Sequence, residues 1–226
     1  MTALEPWNEI IALAASALLL AAYHLWLRLK VRRHPAFTVQ AVNRLARTAW
    51  VESIMTEPGK EVLAVQTLRN STMAATFLAS TAVLLIIGVL SLTGQADKIA
   101  RAWGELGLIQ AGAAGPWMPK LLLVLLDLFA AFFAFSMSVR LFNHVGYLIN
   151  VPLSLGHPEI TPAHVARQLN RAGRFYSIGM RAFYFLVPLV FWVFGPLFLV
   201  LSTVGLVAVL RVLDRAPGEA GRPPAR

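Results

Sequence analysis

QTLRNSTMAATFLAS, residues 66–80, carries a polar, arginine-bearing sequence without a break into an apolar helix rich in small residues. At about 100° per residue, Arg69, Thr72, Thr76 and Ser80 share one narrow arc, and Ser71, Ala75 and Ala79 form a second row at a spacing of four. Lipid tails give helices no hydrophobic reason to associate, so close approach of small residues and hydroxyl bonds between helices must supply it. This stretch is therefore expected to be a central packing helix that starts in water and enters the bilayer near Asn70. The alternative is that its hydroxyl stripe lines a polar path leading from Arg69.

The rest of the chain agrees with a membrane setting. Of 226 residues, 58% are hydrophobic and only 14% charged, against roughly 25% charged in soluble domains, and the mean hydropathy is +0.65. The absence of cysteine excludes disulfides, thiolate catalysis and cysteine metal sites. A net charge of +9 beside apolar spans is the ordinary signature of cytoplasmic loops facing anionic lipid, and no nucleic-acid partner is expected.

In chain order, the first nine residues carry only acidic charges, and the basic cluster comes after the first apolar run, which is the reverse of a secretory signal. Residues 10–27 are expected to form a retained anchor with the N-terminus outside. Arg28, Lys30, Arg32 and Arg33 mark the inner side, and His34-Pro35 ends the helix. Residues 37–55 are then amphipathic, with Arg44 and Arg47 on the polar face, and Glu57-Pro58-Gly59-Lys60 reads as a turn. Span two is expected over 71–93. The outer loop after it is expected to hold a short interfacial helix near 97–108 and a flexible linker.

Span three, 118–143, holds the only acidic residue deep in any span, Asp127, which shares a stripe with Ala130, Ala131, Ala134 and Ser138 while Phe129, Phe132, Phe133 and Val139 point away. An ionised carboxylate at that depth costs at least about 2.5 kcal/mol, so Asp127 is expected to face protein. It would serve as a bonded structural group, as part of a cation or proton path, or as a surface residue of a shorter span. Beyond it, His157, Glu159 and His164 have spacing unlike a compact metal motif, and no metal site is assigned. Thr161-Pro162 reads as a helix start, with Arg167, Arg171 and Arg174 after it at helical spacing. These three, with Arg44 and Arg47, are the candidate contacts to lipid phosphate at the inner leaflet. Residues 182–210 are about 29 long, too few for two full crossings, and Pro188 with Gly195-Pro196 suggests one kinked, tilted span, with a re-entrant hairpin as the alternative. Residues 215–226 are expected to be a disordered tail. Its arginines weigh against a four-span topology, which places them outside.

The blocks NRLARTAWVESIM, AVQTLRNSTMAATFLASTAVLL, NHVGYLIN and RAFYFLVPLVFWVFGP, in this order over about residues 43–214, resemble the four-pass membrane family catalogued as domain-of-unknown-function family 599. The resemblance implies an integral membrane protein and carries no activity or catalytic residue with it. The expected fold is thus all-α: a four-helix transmembrane bundle over residues 1–214, a single membrane domain, with amphipathic helices at the cytoplasmic interface.

No nucleophile elbow, phosphate loop or carboxylate pair is present, so neither enzymatic activity nor a cofactor is expected. The expected role is a non-enzymatic homo-oligomer or accessory protein of a bacterial inner membrane. Its partners would be the bilayer and its anionic headgroups. The alternative is a channel or transporter that uses Arg69, Asn70, Thr72, Thr76, Ser80 and Asp127.

Overall fold

A computed structural model of the protein describes residues 5–34, 37–95 and 117–215, and among these the chain is almost entirely helical. The helices are α1 (Glu5–Arg33), α2 (Val39–Thr56), α3 (Glu61–Thr93), α4 (Trp117–Leu148), α5 (Pro162–Phe191) and α6 (Pro196–Leu213), with 3-10 turns at Leu153–Leu155 and Trp192–Phe194. The expected interfacial helix in the outer loop and most of the expected disordered tail lie outside the described residues.

Local chemistry sets most boundaries. α1 ends at Arg33, directly before His34-Pro35. The α2–α3 turn places Gly59 at φ 87°, a conformation that glycine adopts without strain. A small polar cluster closes this turn: Lys60 Nζ lies 2.6 Å from both Glu57 Oε2 and Ser53 Oγ. α5 begins at Pro162, with the amide of His164 donating to the Thr161 hydroxyl at 3.2 Å, the capping expected of Thr-Pro.

Five helices, rather than four, are long and apolar enough to cross a membrane: α1, α3, α4, α5 and α6. The difference has two causes. The basic segment after Thr161, expected to be a separate inner helix, is the first half of α5, because no proline interrupts residues 163–187; Gly173, Gly179 and Pro188 are all accommodated within the helix. α5 is thus 30 residues long, about 45 Å, and reaches across a bilayer core of about 30 Å by itself. The chain then breaks outright at Gly195, whose φ of 135° is closed to residues with a Cβ, and Pro196 opens α6 at its first position. The expected single kinked span over 182–210 is therefore two helices.

The chain divides into two compact units. Unit 1 comprises residues 1–39, 84–128 and 182–226. Within it α6 folds back antiparallel along the end of α5: Tyr184 and Val209 line the same groove as Phe191 and Phe198. α1 runs in the same sense as α6, since Ala12 packs with Leu199 and Trp192 while Tyr23 and Leu27 pack with Val207 and Leu210. The C-terminal ends of α1 and α6 consequently lie side by side. There Tyr23 Oη donates to Asp214 Oδ2 at 2.8 Å, the Val39 amide donates to the Asp214 carbonyl, and Thr38 forms an isolated bridge with Arg215.

Unit 2 comprises residues 40–83 and 129–181. Its core joins Val51 and Ile54 of α2, Leu68 of α3, Val145 of α4 and Val165 and Leu169 of α5. The small row on α3 packs inward as expected, with Ala75 and Ala79 buried. Ser138 of α4 donates to the Ala172 carbonyl at 3.0 Å. Phe135, fully buried, lies against Gly179, where any Cβ would come within 2.7 Å of its ring.

Candidate functional site

Two faces of unit 2 hold the five candidate arginines and, of the α3 stripe, Thr76 and Ser80. The first is a groove between α2 and the first half of α5. These helices run antiparallel, with Gln40 beside Ser177 (Oε1 to Oγ 2.8 Å) and Arg47 beside Asn170. The antiparallel register brings together five arginines: Arg44, Arg47, Arg167, Arg171 and Arg174 line one groove of about 410 Å³ with Gln40 and Asn170. On α5 the spacing 167, 170, 171, 174 is one helical face; on α2, residues 40, 44 and 47 are the facing stripe.

A hydrogen-bond chain fixes the centre of this groove. Arg47 Nε donates to Asn170 Oδ1 at 2.9 Å, Asn170 Nδ2 donates to Thr48 Oγ1 at 3.1 Å, and Thr48 Oγ1 donates to the Arg44 carbonyl at 2.9 Å. The Arg47 guanidinium lies over Gly173, where a Cβ would approach its nitrogens and Cζ to 2.5–3.0 Å. The glycine thus makes the room. Arg47 is half-buried and burial lowers its pKa from the usual arginine value, whereas the other four arginines are exposed. Arg171 stacks over the Phe175 ring at 5.9 Å. The ion pairs Lys60–Glu57 and Lys120–Glu9 lie elsewhere, and no carboxylate among the described residues pairs with any of the five.

The second face is a shallow seam between α3 and α4. Thr76, Ala79, Ser80 and Val83 of α3 and Phe132, Ser136 and Val139 of α4 line an open groove of about 250 Å³. Ser136 and Val139 continue it into a second groove with Arg140, Asn143, His144 and Tyr147. Thr76 and Ser80 are exposed and Ser136 is half-buried. Ser71, Thr81 and Ser91 bond back to carbonyls four residues earlier, but none of the three seam hydroxyls has a hydrogen bond among the described residues. Of the other stripe residues, Thr72 is half-buried, Arg69 and Asn70 are exposed, and none of the three lines the seam. Asp127 is half-buried in unit 1 and does not line it either; its Oδ2 is shielded from solvent and has no hydrogen-bond partner among the described residues.

Sequence reasoning missed a third cluster, in unit 1. Lys120, 3% exposed, pairs with Glu9 Oε1 at 2.8 Å, donates to the Trp192 carbonyl at 3.2 Å, and sits 5.4 Å from the centre of the Trp192 ring. The Trp192 indole donates in turn to Glu9 Oε2. This network satisfies the backbone where α5 ends before Gly195. A signal was available in opposite charges, Glu9 and Lys120, each at the outer edge of an apolar run. No three His, Cys, Asp or Glu side chains among the described residues lie close enough to hold a metal, and His157, Glu159 and His164 form no such group.

A family model described as a protein of unknown function, DUF599, matches residues 11–218. No curated protein and no solved structure matches the chain.

Proposed function

Because the chain belongs to this family of unknown function, we propose its role from its own geometry: a multi-pass protein of the bacterial inner membrane that acts without catalysis, as a homo-oligomer whose subunits meet along the α3–α4 seam. The observation that carries this reading is the set of three unbonded hydroxyls, Thr76, Ser80 and Ser136, lining an open groove on apolar helices. Against lipid they would gain nothing, whereas a second copy can supply both close packing and hydrogen bonds. The N-terminus lies outside, because the ends of α1 and α6 that share the Thr38–Arg215 bridge carry Arg28, Lys30, Arg32, Arg33, Arg211 and Arg215, and such a cluster is retained in the cytoplasm. α2, with Val51 and Ile54 buried and Arg44 exposed, is an amphipathic helix at the inner headgroup boundary.

Native mass spectrometry of the protein released from lipid tests the assembly. A defined oligomer is expected, and the double variant Thr76→Val, Ser136→Ala, which keeps shape and removes hydroxyls, should dissociate at lower detergent than the parent. A wild-type monomer in lipid nanodiscs would end the reading. The unpartnered Asp127 Oδ2 favours transport of an ion or small solute as the second reading. On that reading Asp127→Asn alters flux into liposomes, and on the first it alters only stability.

A further inference from the structure

The groove between α2 and α5 concentrates charge that no carboxylate among the described residues offsets. Arg44 and Arg47 from one helix and Arg167, Arg171 and Arg174 from the other share one lining, within seven residues of each helix, or about 10 Å of axis. Like charges at helical spacing repel one another, and the ion pairs among the described residues lie elsewhere. A purely solvated basic face would not require Gly173 to clear space for a guanidinium, nor an asparagine to hold that guanidinium in place against burial. Those features are what a site needs whose central arginine is positioned before its ligand arrives.

Guanidinium is the cation suited to this task, since its planar fork meets phosphate oxygens two at a time. Five forks along about 10 Å exceed what one phosphate can engage, and the groove of about 410 Å³ is elongated along the two helices. We propose that this groove binds an anion bearing two phosphate groups, with Arg47 at its centre and the four exposed arginines around it. Two sources share that chemistry: a lipid headgroup with two phosphates in the inner leaflet, or a soluble diphosphate. The proposal is independent of the oligomer reading, because it uses a different face of unit 2.

The test uses the full-length protein. Inorganic pyrophosphate is titrated into the detergent-solubilised protein, and the lipid is sought by native mass spectrometry after reconstitution in phosphatidylcholine vesicles doped with cardiolipin. The variant Arg44→Gln, Arg171→Gln removes two exposed side chains, so folding is not at stake, and Arg32→Gln, Arg33→Gln on α1 removes the same charge elsewhere. Binding is expected to fall about tenfold for each groove arginine removed and to stay within about twofold of wild type in the α1 control. Gly173→Ala leaves the net charge unchanged but displaces Arg47, and should weaken binding several-fold. Pyrophosphate binding with no retained cardiolipin identifies a soluble ligand, and the opposite result identifies a headgroup; both uphold the site. If neither probe binds, or if the α1 control loses as much as the groove variant, the proposal is wrong.

Discussion

Replacing Lys120 by methionine tests whether the Glu9–Lys120–Trp192 network holds the α5–α6 break in place. The substitution keeps the aliphatic stem and removes the ammonium, so its cost is electrostatic. Lys120 and Glu9 side chains are 4% and 12% exposed, and removing one partner of a buried pair costs about 3–5 kcal/mol, because the other charge stays behind uncompensated. Here the residual charge is not abandoned: Glu9 keeps the indole donor of Trp192, and the Trp192 carbonyl keeps the Gly195 amide at 3.0 Å. The expected loss is therefore the lower end, about 3 kcal/mol.

Glu9→Gln should cost less than Lys120→Met, since Lys120 would keep the Trp192 carbonyl and the face of the indole ring. The double variant should recover most of the loss, a coupling of about 2 kcal/mol, because burying two neutral groups incurs little of the charge penalty. Unfolding in mixed micelles by titration with sodium dodecyl sulfate, monitored by tryptophan fluorescence, reports the differences. A Lys120→Met shift below about 0.5 kcal/mol, or additivity of the two single variants, would refute the reasoning, since either means that the three groups do not act together.

Unit 2 carries two more expected outcomes. Gly179→Ala places a methyl about 2.7 Å from the ring of buried Phe135 and should destabilise by about 1–3 kcal/mol; Phe135→Leu in the same background should restore part of that loss in a thermal-stability assay, and no recovery would place the strain elsewhere. In the α2–α3 turn, hydrogen bonds from Lys60 and then Ser53 hold the Glu57 carboxyl below the ordinary carboxylate range. A depressed carboxylate contributes order above the unfolded value and loses it as pH falls through its own lower one, so amide protection of Glu57, Gly59 and Lys60 should fall only on strong acidification. Lys60→Met should return the Glu57 titration, read by NMR, toward the ordinary range, and an unmoved midpoint would contradict the assignment.

Much of this architecture is legible in the chain because helix termini have local causes. Thr161-Pro162, His34-Pro35 and the Glu57–Lys60 turn all mark boundaries where their chemistry places them. Periodicity also identifies the inward row of α3, with Ala75 and Ala79 buried, and the basic stripes on α2 and α5. What periodicity lacks is the partner. The contact of Arg47 with Asn170 spans 123 residues, and the meeting of two stripes in one groove depends on an antiparallel packing that neither stripe encodes. The same limit hides Glu9, whose role exists only once Lys120 and Trp192 are beside it.

At Gly195-Pro196 the local signals locate a break without fixing the direction the chain takes beyond it. A Gly-Pro pair is compatible with a kink, in which the axis continues, and with a reversal, in which it does not. Treating residues 162–181 as a separate helix leaves too few residues for two crossings and forces the kink. Two features of the chain point the other way. No proline separates the basic stripe from the apolar run before Pro188, so the stripe and the run belong to one helix that is long enough alone. In addition, Arg211 and Arg215 come after the last apolar segment, which sits poorly with an even number of crossings and an outside N-terminus. A reversal removes that conflict, because it returns the end of α6 to the end of α1, where Tyr23 and Thr38 meet Asp214 and Arg215. Charge at the end of the chain thus bears on the break near residue 195, and reading the two together resolves what neither does alone.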